Sequence, residues 1–349
     1  MLQASRTPDR LARLLELGFQ RERDAAVTTE AVRIDRRTHK LTAARAAMGT
    51  CVSISALGDS RARVEDAIGR AFEEMDRLIG IFSRFEHASA LTRLNEQGRL
   101  RGAPPELARV VARALRYHRV TAGAFDISVA PLVDLFRDRL RTDAAAPPGD
   151  AEIREVRALV GARDITASRR EVRFGKAGMR VTLDGIAKGY IVDRMAATLE
   201  ARRVRNYLIN GGGDIRAAGR KEGRQPWTVA VQDPGVPGRF RDALHLTDAA
   251  VATSGSYEIY FDRDRLFHHI VDASTGRSPT RCTSVSVIAP TTIAADALAT
   301  SVFVMGPDPG LAFVESLAGC ECLIIDRCGR ELRSRGWRSA APLDPDSRE

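Results

Sequence analysis

From Met48 onward the chain switches between two hydrophobic periods. Cys51-Val52-Ser53-Ile54-Ser55 sets apolar and polar residues in alternation, the period of a half-buried strand. After Asp59-Ser60, a pair suited to cap a helix, apolar residues fall at Val64, Ala67, Ile68, Ala71, Phe72, Met75, Leu78 and Ile79. That spacing predicts a helix, with Gly80 as its C-terminal stop. A second helix is expected from about Pro105 to Thr121, with Gly123 behind it. Val181-Thr182-Leu183 enters a glycine-punctuated turn, and Ile191, Val192, Met195 and Leu199 predict the helix that follows. Tyr207-Leu208-Ile209 reads as a short strand ending in Gly211-Gly212-Gly213. Further strands are expected around Trp227 to Val231, Leu244 to Leu246 and Val285 to Ile288, then helices from about Thr292 to Met305 and near Leu311 to Leu317. The Ala-, Pro- and Gly-rich stretch from Thr142 to Asp150 predicts a surface loop. There is no internal repeat. Helices interspersed with hairpin-like and separated strands predict an α/β or α+β fold with a mixed sheet.

Residues 1 to 46 break this texture. They are rich in arginine, with one amphipathic piece between Leu11 and Phe19, and read as a basic extension: a docking helix or, more simply, a loosely packed appendage. The main folded domain is expected over 47–335 and a tail over 336–349. Composition adds little. With 44% hydrophobic and 28% charged residues the 349-residue chain fits a water-soluble globular protein, large enough for one large domain or two modest ones. The formal charge of +9 suits an anionic ligand, but an arginine-rich composition accounts for it equally. Nucleic acid is not an expected partner, because no block of like charge stands out and aromatics make up only 5%. No stretch is long and apolar enough to span a bilayer, so no transmembrane segment is expected. The N-terminus lacks a signal-peptide pattern, which points to the cytoplasm for the chain as written, or to the periplasm if the true start lies upstream. The five cysteines, Cys51, Cys282, Cys320, Cys322 and Cys328, lack paired zinc spacing. Cys320 and Cys322 flank the start of the apolar run Leu323-Ile324-Ile325 and read as core residues.

Several short stretches carry chemistry. On the helix through Ala294-Ala295-Asp296-Ala297-Leu298-Ala299-Thr300, Asp296 and Thr300 are four residues apart and share a face. A carboxylate and a hydroxyl are hard oxygen donors that suit magnesium better than zinc, although such a pair also makes ordinary local hydrogen bonds. In Asp184-Gly185-Ile186-Ala187-Lys188-Gly189-Tyr190, glycines bracket a helix start with Lys188 in its first turn. Free N–H groups there favour anions, and Lys188 would add a point charge for phosphate, or would simply face solvent. The spacing is not that of a Walker loop. Asn210-Gly211-Gly212-Gly213-Asp214 allows close backbone approach to a ligand, or a plain turn, and lacks the dinucleotide fingerprint. Gly123-Ala124-Phe125-Asp126 joins an aromatic to a carboxylate, and Thr253-Ser254-Gly255-Ser256-Tyr257 reads as a hydroxyl-rich turn. His268 and His269 are neighbours, so on a strand they would face opposite ways; one of them facing a pocket could act as a general base.

In order along the chain, these stretches resemble the ApbE-type FAD:protein FMN transferases. The resemblance rests on Met48-Gly49-Thr50, Phe82-Ser83-Arg84-Phe85 with Ser89 and Leu94-Asn95, Gly123 to Asp126, Asp184 to Tyr190, Gly211 to Asp214, Thr253 to Gly255, His269-Ile270 with Thr275-Gly276, and Ala295 to Thr300, spanning residues 48 to about 325. It implies a single compact catalytic domain that binds FAD in a cleft, with Met48, Phe85, Ala124, Phe125, Asp126, Asp184, Lys188 and Ile270 around the flavin nucleotide. It also implies a magnesium ion (Mg2+) held by Asp296, Thr300 and the backbone carbonyl of Ala187, and His269 as the base, with His268 the second choice. FMN would pass from FAD to a Thr or Ser hydroxyl in a flavinylation motif of an acceptor protein, an electron-transfer protein, with release of AMP. Two readings compete with it: a magnesium-dependent FAD pyrophosphatase and a non-catalytic flavin-delivery protein. The chain departs from the family pattern at Phe85, where an aromatic hydroxyl is common. It departs again at Thr182-Leu183-Asp184-Gly185, where the family's DLGG carboxylate is shifted by two positions.

Overall fold

The computed structural model describes residues 27–140, 147–236, 238–256 and 267–340. The amphipathic piece between Leu11 and Phe19 and the first half of the 142–150 loop lie outside them. The frame is a nine-stranded sheet: β1 (Thr28–Arg33), β2 (His39–Ala47), β3 (Thr50–Gly58), β4 (Asn206–Gly211), β5 (Ile215–Ala218), β6 (Ala249–Gly255), β7 (Cys282–Ala289), β8 (Glu321–Asp326) and β9 (Glu331–Arg333). The strands lie side by side in chain order and every pairing is antiparallel. The α/β mixture is therefore one of strands and helices, not of strand directions.

Helices fill the long excursions between strands. Between β3 and β4 come α1 (Arg61–Phe82), α2 (Ala90–Gln97), α3 (Pro105–Val120), α4 (Ala130–Arg139), α5 (Asp150–Arg157) and α6 (Ala187–Ala201), with a small three-stranded sheet of Arg99–Arg101, Ile165–Ala167 and Glu171–Phe174. α7 (Thr292–Met305) and α8 (Pro307–Glu315) lie between β7 and β8. Alternation along the strands sorts side chains onto two faces. On β6, Ala250 and Ala252 face the core under α7, whereas Val251 faces the other side. On β8, Cys322 and Ile324 face α7 and α8, and Leu323 faces away. That second face is closed by the hairpin Trp227–Gln232/Phe240–Leu246 and by Trp337.

Four sequence expectations shift. α1 passes through Gly80 and ends at Ser83, whose N–H donates to the Ile79 carbonyl. A helical glycine costs about 1 kcal/mol and burying a phenylalanine returns about 1.5–3 kcal/mol, so continuing to the buried Phe82 wins. The boundary expected between residues 46 and 47 falls inside β2, which pairs with β3 along its whole length. The tail expected from 336 begins inside the core, where buried Trp337 donates from Nε1 to Asp242 Oδ2 at 2.8 Å. Thr253-Ser254-Gly255, expected as a turn, forms the last part of β6.

Candidate active site

The site grows from the meeting of α6 and α7. Neither helix caps itself: Ile186 and Thr291, their N-cap residues, make no side-chain cap bond. Each helix instead receives a carboxylate from the other. Asp193 of α6 accepts from the Thr292 and Ile293 N–H groups at 2.9 and 3.0 Å. Asp296 of α7 accepts through Oδ2 from the Gly189 N–H at 3.0 Å. The approach requires glycine at 189, because a Cβ there would stand 2.5 Å from the Thr292 carbonyl oxygen and 2.9 Å from Asp296 Cβ. Asp296 is thereby buried at the start of α6, with Thr300 one turn further along the same face.

A cleft opens over this junction. Its walls include Ala124, Phe125 and Asp126 from the loop after α3, Asp184, Gly185 and Lys188 at the start of α6, Thr253 and Ser254 from β6, His269 and Ile270 from the β6–β7 connection, and Asp296 and Thr300. Nine of the twelve residues expected at the site thus line one cavity. Gly185 lies against Thr300, whose Oγ1 would be 2.8 Å from a Cβ at that position, and Ser254 and Thr300 share a hydroxyl hydrogen bond of 3.2 Å. Lys188 Nζ is 3.3 Å from Asp214 Oδ2, a carboxylate buried just behind the triple glycine. The glycine turn closes on itself: Asn210 Oδ1 accepts from the Gly212 and Gly213 N–H groups, and Gly212 presses on Thr50 with φ of 81°. Gly211 and Gly212 therefore serve close packing and Gly213 a left-handed backbone with φ of 99°, while the residue after them orients the cleft lysine.

Asp126 borders the cleft, but its oxygens hold the protein together. Oδ1 accepts from the N–H and hydroxyl of Ser128, and Oδ2 accepts from the Ala162 N–H at 3.2 Å, with His118 Nδ1 at 3.4 Å. Of the two histidines, His269 lines the cleft. His268 is buried, stands edge-on to Phe303, and has Nε2 3.0 Å from the Pro279 carbonyl. This favours His269 as the residue available to a substrate.

Three expected residues fall outside the lining. Met48 sits in the tight β2–β3 turn with φ of 54°, beside Gly211. Phe85 is 40% exposed under the Arg84 guanidinium, which in turn comes within 3.9 Å of Asp184 Oδ2 at the rim. Ala187 is buried at the first position of α6, where only its backbone can serve a ligand. Sequence reasoning missed Asp193, Ile127, Val129 and Val271, for which no local motif signals a role. It also missed Thr182, now a wall residue whose Oγ1 accepts from the Asp184 N–H.

The donor set decides which ion could bind. Among the described residues no group of three or more His, Cys, Asp or Glu gathers as a transition-metal site would need. Cys282 and Cys322 are inert, since burial pushes both thiols from an ordinary 9.0 up to about 12. Buried Asp296, the Thr300 hydroxyl and a helix-start carbonyl are instead hard oxygen donors. A carboxylate has about four acceptor positions, so the bond from Gly189 is compatible with metal binding by Asp296.

Comparison with known proteins gives the family and the fold. A sequence profile of the ApbE family matches residues 48–324. The FAD:protein FMN transferase of Vibrio cholerae is 33% identical over 281 residues, 77% of this chain and 82% of that protein. That of Haemophilus influenzae is 31% identical over 284 residues, again 77% of this chain and 81% of the relative. Among solved structures, the flavin transferase ApbE from Vibrio cholerae superposes with a TM-score of 0.72 at 27% identity, covering 89% of this chain and 98% of its own. The ApbE protein of Thermotoga maritima gives 0.76 at 29% identity, with coverage of 88% and 97%.

Proposed function

The chain belongs to the ApbE family and is an FAD:protein FMN transferase, and from that premise we propose how its cleft works and what it needs. The reading rests on one observation: Lys188, His269, Asp296 and Thr300, drawn from three separate parts of the chain, line a single cleft. Lys188, steadied by Asp214, places a positive charge where the diphosphate of FAD would lie. Asp296, Thr300 and the Ala187 carbonyl would hold magnesium. When bound, that ion supplies neutralisation of the charge that grows on the phosphate oxygens.

The acceptor is a Thr or Ser hydroxyl on an electron-transfer protein. An aliphatic hydroxyl is a weak nucleophile at neutral pH, and His269 accepts its proton as the oxygen bonds to the phosphorus on the FMN side. The bond from that phosphorus to the bridging oxygen breaks, and AMP leaves. Proton transfer of this kind contributes about 10²–10⁴-fold.

Product analysis tests the proposal. With FAD, magnesium and an acceptor domain, AMP should appear in step with protein-bound flavin while free FMN stays low. Free FMN and AMP in equal amounts, with no labelled acceptor, would mean that water is the true nucleophile and the protein a pyrophosphatase. FAD bound without either product, whether or not magnesium is present, would mean a delivery protein.

A further inference from the structure

The mutual capping of α6 and α7 assigns a role to a residue that the cleft does not contain. Asp193 lies one turn beyond Gly189 on α6, outside the lining of the cleft, and both its oxygens are occupied by the first two N–H groups of α7. Asp296, one turn into α7, reaches back to Gly189. The two carboxylates form a closed loop of bonds between the helices, and the loop contains Asp296 itself. No side chain of its own caps either helix: Asp193 satisfies the first two N–H groups of α7, whereas on α6 Asp296 takes the Gly189 N–H and the Leu183 carbonyl takes that of Ala187.

We propose that Asp193 is the positioning residue for the metal site: by gripping the first turn of α7 it sets the height and rotation at which Asp296 and Thr300 face the start of α6. This rests on the reading of Asp296 and Thr300 as magnesium ligands. The lever is short. Thr292 and Ile293 precede Asp296 by only four and three residues on one helix, so a slip at the cap carries directly to the ligand carboxylate. Gly189 blocks compensation, because the helices already touch there and cannot slide closer. The device also accounts for a carboxylate being needed at 193: a single planar group accepts two adjacent N–H bonds, one through each oxygen, and its charge suits a helix N-terminus.

Asp193→Asn tests this, since the amide keeps the shape but offers one acceptor and turns an N–H toward the second donor. Magnesium binding to the FAD-loaded full chain would be followed by titration calorimetry, beside the magnesium dependence of transfer. The expected result is an affinity weakened by about 10-fold or more, the usual effect of losing a residue that orients a metal ligand. Transfer should recover at saturating magnesium, and FAD affinity without metal should not change. Asp193→Glu, which keeps the charge but displaces it, should fall between. Leu199→Ala, in the same helix but far from the site, controls for lost stability and should lower the melting temperature with magnesium affinity intact.

If Asp193→Asn melts early yet binds magnesium as the parent does, the residue is purely structural and the proposal is overturned. Failure of both Asp193 variants to fold, while Leu199→Ala folds, overturns it too. A parent protein that gives no magnesium binding in the presence of FAD would instead remove the metal reading, and this inference with it.

Discussion

Gly189→Ala is the sharpest probe of the helix junction. At an ordinary helical position this change stabilises a protein, by about 1 kcal/mol from helix propensity. Gly189 carries no left-handed strain, so the same gain would be expected here if nothing lay opposite. What lies opposite is the α7 backbone: a Cβ would meet the Thr292 carbonyl oxygen at 2.5 Å, its carbon at 2.7 Å and Asp296 Cβ at 2.9 Å. These atoms cannot swing aside as a long side chain would. Reaching an ordinary separation of about 3.5 Å requires the helices to part by ~1 Å. Overpacking of this kind costs about 1–3 kcal/mol, and weakening the charge-assisted bond from Gly189 to Asp296 costs about 1.5–3 kcal/mol. Set against the propensity gain, the net loss is roughly 1.5–5 kcal/mol. Activity should suffer more, since a 1 Å misplacement in a catalytic constellation can cost about 10²-fold in rate. Urea unfolding gives the first quantity; the transfer rate at saturating FAD and magnesium gives the second. A variant as stable as the parent and equally active would refute the close approach and the positioning argument built on it.

Other residues make independent predictions. Lys188→Met keeps the apolar stem and removes the charge, so FAD affinity, read by flavin fluorescence, should weaken about 10–100-fold, the worth of a hydrogen bond to a charged group; unchanged affinity would remove Lys188 from the diphosphate. Gly212→Ala combines a left-handed backbone with a Cβ 2.3 Å from Thr50 Cγ2 and should lose about 1–3 kcal/mol in urea unfolding. Alkylation of the native protein at pH 8 should modify exposed Cys51 and Cys328 but leave buried Cys282 and Cys322 untouched, and early modification of either buried thiol would contradict the core assigned to them. Those two thiols stay protonated in the fold up to about 12, whereas the unfolded chain releases the protons near 9.0. The native state then binds more protons, so their contribution is complete below pH 9 and is lost as pH rises toward 12.

The chemistry-bearing stretches were legible because each is short and local. A helix with Asp and Thr four apart, a glycine-bracketed helix start and a histidine doublet need no knowledge of the fold. Their convergence on one cleft followed from the family resemblance, not from the patterns themselves. Elements buried on both faces were harder to read. β6 begins Ala249-Ala250-Val251-Ala252, covered by helices on one side and the hairpin on the other, so no polar alternation marks it as a strand. β1 and β2 were hidden by the opposite feature: β1 is exposed along its whole length at the sheet edge and is joined to β2 through the charged turn Asp35-Arg36-Arg37, so the pair resembles a tail. Asp193 could not have been found: the groups it holds lie 99 and 100 residues away, and only the packing of α6 on α7 brings them together. The preference for His269 over His268 came from the resemblance, and its physical reason, the His268 ring packed edge-on against Phe303, lies in the fold alone.

The most direct test of the central claim is the intact mass of an acceptor domain after incubation with FAD and either the parent protein or Asp296→Ala, with magnesium or with EDTA. The account predicts a gain of one FMN for the parent with magnesium and no gain in the other three reactions. An equal gain with Asp296→Ala, or with EDTA present, would contradict the assignment of the cleft as a magnesium-dependent transfer site.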